Sequence, residues 1–273
     1  MNSEKKVALV TGASSGIGES TARLLLQAGY VVYAAARRLD RMAALGQAGA
    51  RLLALNVAEE ASLGAAIDAI KQAEGRLDVL VNNAGYGSYG ALEDVPLAEA
   101  RYQFEVNVFG LARLVQLALP LMRAQRSGRI INVSSIGGRI GEPHGGWYHA
   151  TKFAVEGLSD SLRMELKQFG IDVVVIQPGA IKTEWNQIAR ENLLKISGST
   201  AYANLAQRHV RMLANADARG SEPEVVARTI VRAATTTRPK TRYATGGGAK
   251  VVLLLRRLLS DRLFDKLMLS QMR

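Results

Sequence analysis

A tyrosine, a lysine and a serine in the middle of the sequence have the types and the spacing of a proton-transfer site. Tyr148 and Lys152 are four residues apart, and Ser135 precedes the tyrosine by thirteen residues. Side chains at i and i+4 of a helix lie on one face, about 5–6 Å apart. An ammonium group at Lys152 would therefore favour the phenolate of Tyr148, since a phenol otherwise titrates with a pKa of about 10.

These three side chains predict chemistry at a carbonyl or alcohol group. Tyr148 would act as the acid or base, and the Ser135 hydroxyl would hold the substrate oxygen beside it. The alternative interpretation is an ordinary exposed helical pair and a turn serine.

A glycine-rich segment near the N-terminus has the pattern strand, turn, helix. The aliphatic run from Val7 to Val10 is followed by T-G-A-S-S-G-I-G over residues 11–18 and then by helical periodicity. Glycines allow a backbone to approach a ligand closely, and a helix N-terminus offers free N–H groups to a pyrophosphate. The segment predicts dinucleotide binding, although a merely tight connection is the alternative. The residues concerned are Gly12, Ser14, Ser15, Gly16, Ile17 and Gly18.

Two further motifs complete an ordered set. Asn82-Asn83-Ala84-Gly85 follows the strand-like run at Val79, and Asn107 lies in F-E-V-N-V-F-G. Together with the glycine turn and the serine, tyrosine and lysine, these motifs resemble the short-chain dehydrogenase/reductase family, in particular its 17β-hydroxysteroid and retinol dehydrogenase-like branch. The resemblance covers the chain from about Lys6 to Thr183.

The resemblance implies an enzyme that interconverts an alcohol and a ketone or aldehyde by hydride transfer. In that family Tyr148 would exchange a proton with the substrate oxygen, and Lys152 would bind the nicotinamide ribose and lower the tyrosine pKa. Ser135 would position the substrate, and Asn107 would hold a helix distortion and a relay water. Ser134 lacks the family's separation from Tyr148 and is expected to be structural. The other cofactor contacts that the resemblance implies, besides Tyr148 and Lys152, are Asn83, Ala84, Gly85, Pro178, Gly179, Ile181 and Thr183.

The end of the second strand-like run predicts the cofactor. An NAD-binding unit places an acidic residue here, against the ribose 2′-hydroxyl, but this chain has Arg37 and Arg38. Guanidinium groups suit an adenosine 2′-phosphate, so NADP(H) is predicted over NAD(H), with Arg37 as the principal contact. The alternative is two solvated charges near Asp40. Asn56 and Val57 are expected at the adenine, where the family usually has aspartate before valine.

The chain is predicted to be one α/β domain over residues 1–273, a doubly wound Rossmann fold with a mainly parallel sheet and helices on both faces. Strand-like runs alternate with helical stretches along 273 residues. Such a topology leaves a ligand crevice at the carboxyl ends of the strands. The strand-like runs begin near Val7, Val31, Leu52, Val79, Ile130 and Val173.

Composition narrows the function classes. The absence of cysteine excludes disulfides and thiol catalysis, and the three histidines lack metal-ligand spacing, so no metal is expected. The start of the chain lacks the pattern of a secretory signal, which makes a cytoplasmic location the expectation. The long helices expected at about 97–125 and 148–169 are those that the family pairs in homodimers and homotetramers.

A segment of about residues 184–218 is expected to form a substrate lid. It combines charges with apolar residues such as Trp185, Ile188 and Met212. An apolar lid favours a hydrophobic alcohol or carbonyl compound, although amphipathic helices also pack on a core regardless of substrate.

Most of the net charge of +11 lies after residue 218. From about 249 to 271, apolar residues recur every four positions among Lys and Arg, which predicts a basic amphipathic helix. This segment has two interpretations, which are contact with an anionic membrane surface and packing on protein. A nucleic-acid-binding protein is not predicted, because no recognition motif accompanies the charge. A dinucleotide-binding regulatory protein without turnover is the alternative to an enzyme.

Overall fold

The computed structural model describes residues 5–272. Its centre is a sheet of seven parallel strands in the order β3-β2-β1-β4-β5-β6-β7. The strands are β1 (Val7–Thr11), β2 (Val31–Ala36), β3 (Arg51–Ala54), β4 (Val79–Asn82), β5 (Gly128–Val133), β6 (Ile171–Pro178) and β7 (Arg242–Thr245). The predicted doubly wound α/β fold is confirmed. The ends of the predicted domain, residues 1–4 and 273, lie outside the described residues.

Helices cover both faces of this sheet. They are α1 (Gly16–Gln27), α2 (Ala43–Gln47), α3 (Glu60–Glu74), α4 (Leu97–Phe104), α5 (Gly110–Gln125), α6 (Gly146–Leu166), α7 (Glu184–Ser197), α8 (Ala203–Ala218), α9 (Pro223–Thr235), α10 (Ala249–Leu258) and α11 (Asp261–Ser270). Strand residues are continuously apolar because both of their faces are covered. In β1, Val7 and Leu9 pack in the core under α3, α5 and α6, whereas Ala8 and Val10 pack under α1 and α9.

The strand order reverses between β1 and β4. The connections from these two strands run to opposite sides, so a crevice opens at their carboxyl ends. In β1 and β4, Ala8 pairs with Val79 and Val10 with Val81. This register brings the glycine turn after β1 beside the Asn-Asn-Ala-Gly segment after β4.

One helical stretch, Leu97–Gln125, is long and apolar enough to span a membrane by length and composition alone. Leu114, Val115 and Met122 on this stretch are buried in the core under the sheet. The apolar character is therefore explained by packing. A π-helical turn, Glu105–Phe109, interrupts the stretch between α4 and α5.

The C-terminal segment differs from the single amphipathic helix expected at about 249–271. Leu259 is extended, with φ −90° and ψ 145°, and it separates α10 from α11. Ser260 is the N-cap residue of α11, and Asp261 follows in its first turn, where a negative charge favours a helix start. A four-residue repeat alone does not reveal such a break.

Candidate active site

The predicted catalytic side chains converge on one cavity at the carboxyl ends of the strands. Tyr148 and Lys152 lie on α6, Ser135 follows β5, and all three line a cavity of about 720 Å³. The glycine turn forms one end of the cavity, and α7 and α8 form the other. Asn107 lies in the π-helical turn behind the cavity wall.

Tyr148 is buried at the cavity wall. Burial raises its pKa to about 12, while a hydrogen bond with Ser135 lowers this pKa and the charge of Glu142 raises it. The phenol is therefore protonated near pH 7. This is the form that donates a proton to a carbonyl oxygen during reduction.

The predicted lowering of this pKa by Lys152 is not what the structure shows. The Lys152 Nζ atom lies 5.9 Å from the centroid of the Tyr148 ring and donates a hydrogen bond to the Val133 carbonyl at 3.0 Å. Burial lowers the pKa of Lys152 itself to about 8, and the nearby Glu156 opposes this shift. The four-residue spacing places the two side chains on one face of α6, but burial is the largest influence on the pKa of Tyr148, and Lys152 is not among the groups that shift it.

Asn107 fixes the geometry of the cavity wall. Its Nδ2 atom donates to the Tyr86 carbonyl at 2.8 Å and to Thr151 Oγ1 at 3.1 Å. Its Oδ1 atom accepts a hydrogen bond from the Tyr86 backbone N–H at 3.0 Å. The expected helix distortion is present at this residue, and its amide ties the segment after β4 to α6. The side chain does not line the cavity, which assigns it a positioning role.

The two adjacent serines differ in their contacts. Ser135 Oγ accepts a hydrogen bond from the Gly137 backbone N–H at 3.0 Å and also contacts the Tyr148 hydroxyl group. Ser134 Oγ is buried without a hydrogen-bond partner among residues 5–272. A Cβ atom on Gly138 would lie 2.7 Å from it. Ser135 is thus the serine placed for a substrate oxygen.

The turn after β1 needs its glycines for two reasons. Gly12 and Gly16 have φ angles of +67° and +57°, which side-chain-bearing residues rarely adopt. A Cβ atom on Gly18 would lie 2.2 Å from the Gly12 carbonyl oxygen. Gly18 does not line the cavity and packs against the Gly12 carbonyl, and its cofactor contact stays a prediction. The turn's residues at the cavity are Gly12, Ser14, Ser15, Gly16 and Ile17.

Thr11, a residue that the sequence reasoning missed, and the predicted Asn83 together hold this turn against the segment after β4. Thr11 Oγ1 accepts hydrogen bonds from the backbone N–H groups of Asn83 and Ala84, both at 3.0 Å. In return, Asn83 Nδ2 donates to the Thr11 carbonyl at 3.0 Å. Asn83, Ala84 and Gly85 thereby face the cavity. The threonine before the first glycine was the available sequence signal.

Arg37 and Arg38 follow β2 at the cavity edge and are exposed. Within the described part of the chain, neither makes a salt bridge, whereas the nearby Arg41 pairs with Glu184 at 2.8 Å. Two unpaired guanidinium groups beside a glycine cradle fit the phosphate-rich end of a dinucleotide. The alternative pairing with Asp40 is not formed.

Asn56 and Val57 line the same end of the cavity. Asn56 Oδ1 accepts a hydrogen bond from the Ala58 backbone at 3.2 Å, and Nδ2 donates to Glu59 at 2.7 Å. The amide is therefore oriented by its own loop, and its oxygen has one lone pair left for an adenine amino group.

The remaining predicted cofactor contacts lie between the end of β6 and the start of α7. Pro178, Gly179, Ile181 and Thr183 line the cavity after β6. Thr183 is the N-cap residue of α7, and a Cβ atom on Gly16 would lie 3.2 Å from its Cγ2 atom. This contact brings the start of the lid against the dinucleotide turn.

Helices α7 and α8 span residues 184–218, the segment predicted to form a substrate lid, and this segment is called the lid below. Ala189 and Leu193 of α7 and Ala206 of α8 are fully buried between them. The lid residues that line the cavity are Glu184, Trp185, Asn186, Ile188, Met212, Leu213, Ala216 and Asp217.

Comparisons with known proteins agree with this site. Residues 6–194 match the short chain dehydrogenase family. A probable short-chain type dehydrogenase/reductase VdlC of Helicobacter pylori is 36% identical over 261 residues, 96% of both sequences. A 3-ketodihydrosphingosine reductase of Bacteroides thetaiotaomicron is 36% identical over 244 residues, 89% of this chain and 88% of that protein.

Solved structures of short-chain dehydrogenases and oxidoreductases are also similar to this chain. A short-chain dehydrogenase from Streptomyces avermitilis is 33% identical with a TM-score of 0.82, covering 99% of this chain and 97% of that one. A metagenomic short-chain oxidoreductase in complex with NADP is 28% identical (TM-score 0.69; 87% and 95% covered). One from Burkholderia phymatum in complex with NAD is 27% identical (TM-score 0.79; 93% and 92%).

The chain belongs to the short-chain dehydrogenase/reductase family. It is an oxidoreductase of the class that acts on CH–OH groups and binds a nicotinamide dinucleotide, and its substrate is a small molecule.

Proposed function

We propose that this protein is an NADP(H)-dependent carbonyl reductase, interconverting a hydrophobic secondary alcohol and ketone or a primary alcohol and aldehyde. The observation that carries the proposal is the placement of Tyr148 and Ser135 side by side in the wall of one cavity, which the dinucleotide turn and the lid also line. Both hydroxyl groups face the space in which a substrate oxygen would lie.

The chain's own residues perform the proton chemistry. A nicotinamide supplies or accepts the hydride when it is bound. Ser135 and Tyr148 orient the carbonyl oxygen, and the protonated Tyr148 hydroxyl donates its proton as negative charge develops there. Lys152, held by the Val133 carbonyl, places its ammonium or amine group beside the phenol. The lid shields the reacting atoms from water.

The preference for NADP(H) rests on the two unpaired arginines. Arg37 and Arg38 end at the cavity edge after β2, where an acidic side chain would otherwise accept the ribose 2′-hydroxyl hydrogen bond. A 2′-phosphate supplies the anion that these guanidinium groups lack.

The substrate preference rests on the lid. Trp185, Ile188, Met212 and Leu213 of the lid line the cavity that Tyr148 also lines. Such a surface stabilises apolar groups by removing them from water, at about 25 cal/mol per Å².

A panel of aliphatic and aromatic ketones, aldehydes and secondary alcohols tests this function. We expect oxidation of NADPH with hydrophobic carbonyl compounds, and at least tenfold slower turnover with NADH. The measurement is the change in nicotinamide absorbance. Tight NADPH binding with no turnover across the panel would favour the non-catalytic regulatory protein instead.

The proposed assembly follows from the family, because short-chain dehydrogenases/reductases usually form oligomers. Leu97, Tyr102 and Phe109 on the α4–α5 stretch and Phe153 on α6 are large apolar side chains that remain exposed in the single chain. We infer a homodimer or homotetramer through this face, in the cytoplasm, with no nucleic acid partner.

A second exposed apolar face supports contact with an anionic membrane. Val251, Leu254 and Leu258 on α10 and Leu263 and Leu269 on α11 are each about half exposed or more. Four exposed basic side chains lie on the same two helices: Lys250, Arg257, Arg262 and Lys266. An apolar surface with basic neighbours is complementary to anionic lipid. Phe264 is buried, so one side of α11 packs on the protein itself.

Substitution of two of these leucines tests the membrane contact. We expect the unmodified protein to sediment with vesicles of anionic phospholipid but not with phosphatidylcholine vesicles. Replacing Leu254 and Leu258 with serine should reduce sedimentation at least about tenfold, because each exposed leucine loses its burial in lipid. Leu92→Ser, at a leucine 68% exposed outside these helices, is the matched control. No sedimentation of the unmodified protein with anionic vesicles would remove this proposal.

A further inference from the structure

The carboxylate of Glu142 lies at the substrate end of the cavity, and among residues 5–272 it has no lysine or arginine partner. Its side chain lines the cavity and is 14% exposed. The Oε1 atom accepts a hydrogen bond from the Tyr89 hydroxyl at 2.9 Å. Across residues 5–272, no lysine or arginine lies within salt-bridge distance of this group, and Oε2 accepts no hydrogen bond. A carboxylate that is largely removed from water is costly unless a cation or further donors compensate it.

The histidines around Glu142 do not supply the missing charge. His149 Nε2 accepts a hydrogen bond from the Glu142 backbone N–H, and its Nδ1 lies 2.9 Å from the Gly137 carbonyl oxygen. The proton of this ring is therefore on Nδ1, and the ring is neutral.

His209 Nε2 lies 3.9 Å from Glu142 Oε1, and its Nδ1 lies 3.1 Å from His144 Nδ1. Burial lowers the pKa of His209, and it lowers the pKa of His144 to about 4. Both rings are neutral at pH 7. Glu142 thus faces uncharged imidazoles and phenols.

Aromatic rings surround the same space. The Tyr89 ring centroid lies 5.7 Å from that of Tyr148 and 5.9 Å from that of Trp185, and the latter two are 5.1 Å apart. Aromatic faces attract organic cations. An ammonium group here would therefore meet a carboxylate oxygen and ring faces together, beside the phenol that protonates the substrate.

We propose that Glu142 binds a protonated amine of the substrate, close to the carbonyl group that Tyr148 protonates. This inference rests on the proposed reductase activity and narrows its substrate class to aliphatic amino ketones and the corresponding amino alcohols. The alkyl chain lies along Ile188, Met212 and Leu213 of the lid. A substrate hydroxyl group would also donate to Glu142 but would bring no charge.

Calorimetry with three matched ligands tests the proposal independently of turnover. The probes are a medium-chain secondary alcohol with an amine on the adjacent carbon, the same alcohol without the amine, and the diol with a hydroxyl group in its place. With the NADPH-loaded protein, which cannot oxidise an alcohol, we expect the amino alcohol to bind at least tenfold more tightly than either analogue. Equal affinities in the unmodified protein would overturn the proposal.

Two substitutions assign the effect to the carboxylate. Glu142→Gln should remove most of the amine preference, and Glu142→Asp should keep part of it. The matched control is Glu93→Gln, since Glu93 also accepts a tyrosine hydroxyl hydrogen bond, from Tyr202 at 2.8 Å, but lies outside the cavity. The control should keep the full preference, and a preference retained in Glu142→Gln would contradict the assignment. Failure of the reductase proposal is distinct, because it would appear as amine-selective binding without nicotinamide turnover.

Discussion

Replacing Tyr148 with phenylalanine is expected to lower kcat for carbonyl reduction at least about 1000-fold, within the range attributed to a positioned general acid. The substitution removes one hydroxyl group and keeps the ring, so the packing against Tyr89 and Trp185 remains. NADPH affinity should change less than about threefold, because the phenol hydroxyl is aimed at the substrate oxygen. Stopped-flow or steady-state nicotinamide absorbance measures the rate, and fluorescence titration measures the affinity.

A control at another buried tyrosine separates chemistry from stability. Tyr30 is also buried, and its hydroxyl lies 3.5 Å from the Ala234 carbonyl, away from the cavity. Tyr30→Phe should leave kcat within about twofold. A Tyr148→Phe variant that kept more than a tenth of the rate would exclude the acid role of this residue.

The direction of the pH dependence follows from the raised pKa of Tyr148. Reduction requires the protonated phenol, which is lost only as the pH rises towards about 12. Oxidation of the alcohol requires the phenolate, so its rate should rise with pH across the neutral range while the acid-dependent rate of reduction stays level.

Arg37→Asp is expected to lower kcat/KM for NADPH at least about 100-fold, which corresponds to about 2.7 kcal/mol. The change removes a charge-assisted contact to the 2′-phosphate and introduces a repelling carboxylate. Activity with NADH should be equal or higher, because an acidic residue at this point accepts the ribose 2′-hydroxyl hydrogen bond. Steady-state kinetics with both cofactors measures the ratio of kcat/KM for NADPH to kcat/KM for NADH.

A substitution at a distant arginine serves as the control for the change in net charge. Arg238 is exposed between α9 and β7, away from the cavity, and Arg238→Asp makes the same change in charge. It should leave the cofactor ratio within about twofold. If Arg37→Asp lowered kcat/KM equally for NADPH and NADH, this result would contradict the assigned 2′-phosphate contact.

Local sequence patterns were sufficient to predict most of the residues that line the cavity. Gly12, Ser135 and Tyr148 each lie close to a strand end or a helix start that hydrophobic periodicity predicts, and parallel strands bring such positions to one edge of the sheet. Strand β7 was missed because its four residues, Arg242–Thr245, include only two apolar side chains, Tyr243 and Ala244.

Long-range contacts account for what the sequence did not reveal. The acceptor role of Thr11 depends on the backbone of Asn83, about seventy positions further along the chain. The pKa of Tyr148 depends mainly on burial of the phenol. The four-residue spacing from Lys152 therefore predicted the wrong direction for the shift of this pKa. Glu142 has no motif, and its lack of a cationic partner appears only once His209 of α8 is packed beside it.

The central claim is that hydride and proton are delivered to one carbonyl group in this cavity. The most direct measurement is mass spectrometry of the alcohol formed from a hydrophobic ketone and NADPH that carries deuterium at both hydrogen positions of nicotinamide C4. We expect one deuterium at the former carbonyl carbon with the unmodified protein and no detectable product with Tyr148→Phe. Product formation without deuterium at that carbon, or equal product from the variant, would contradict this mechanism.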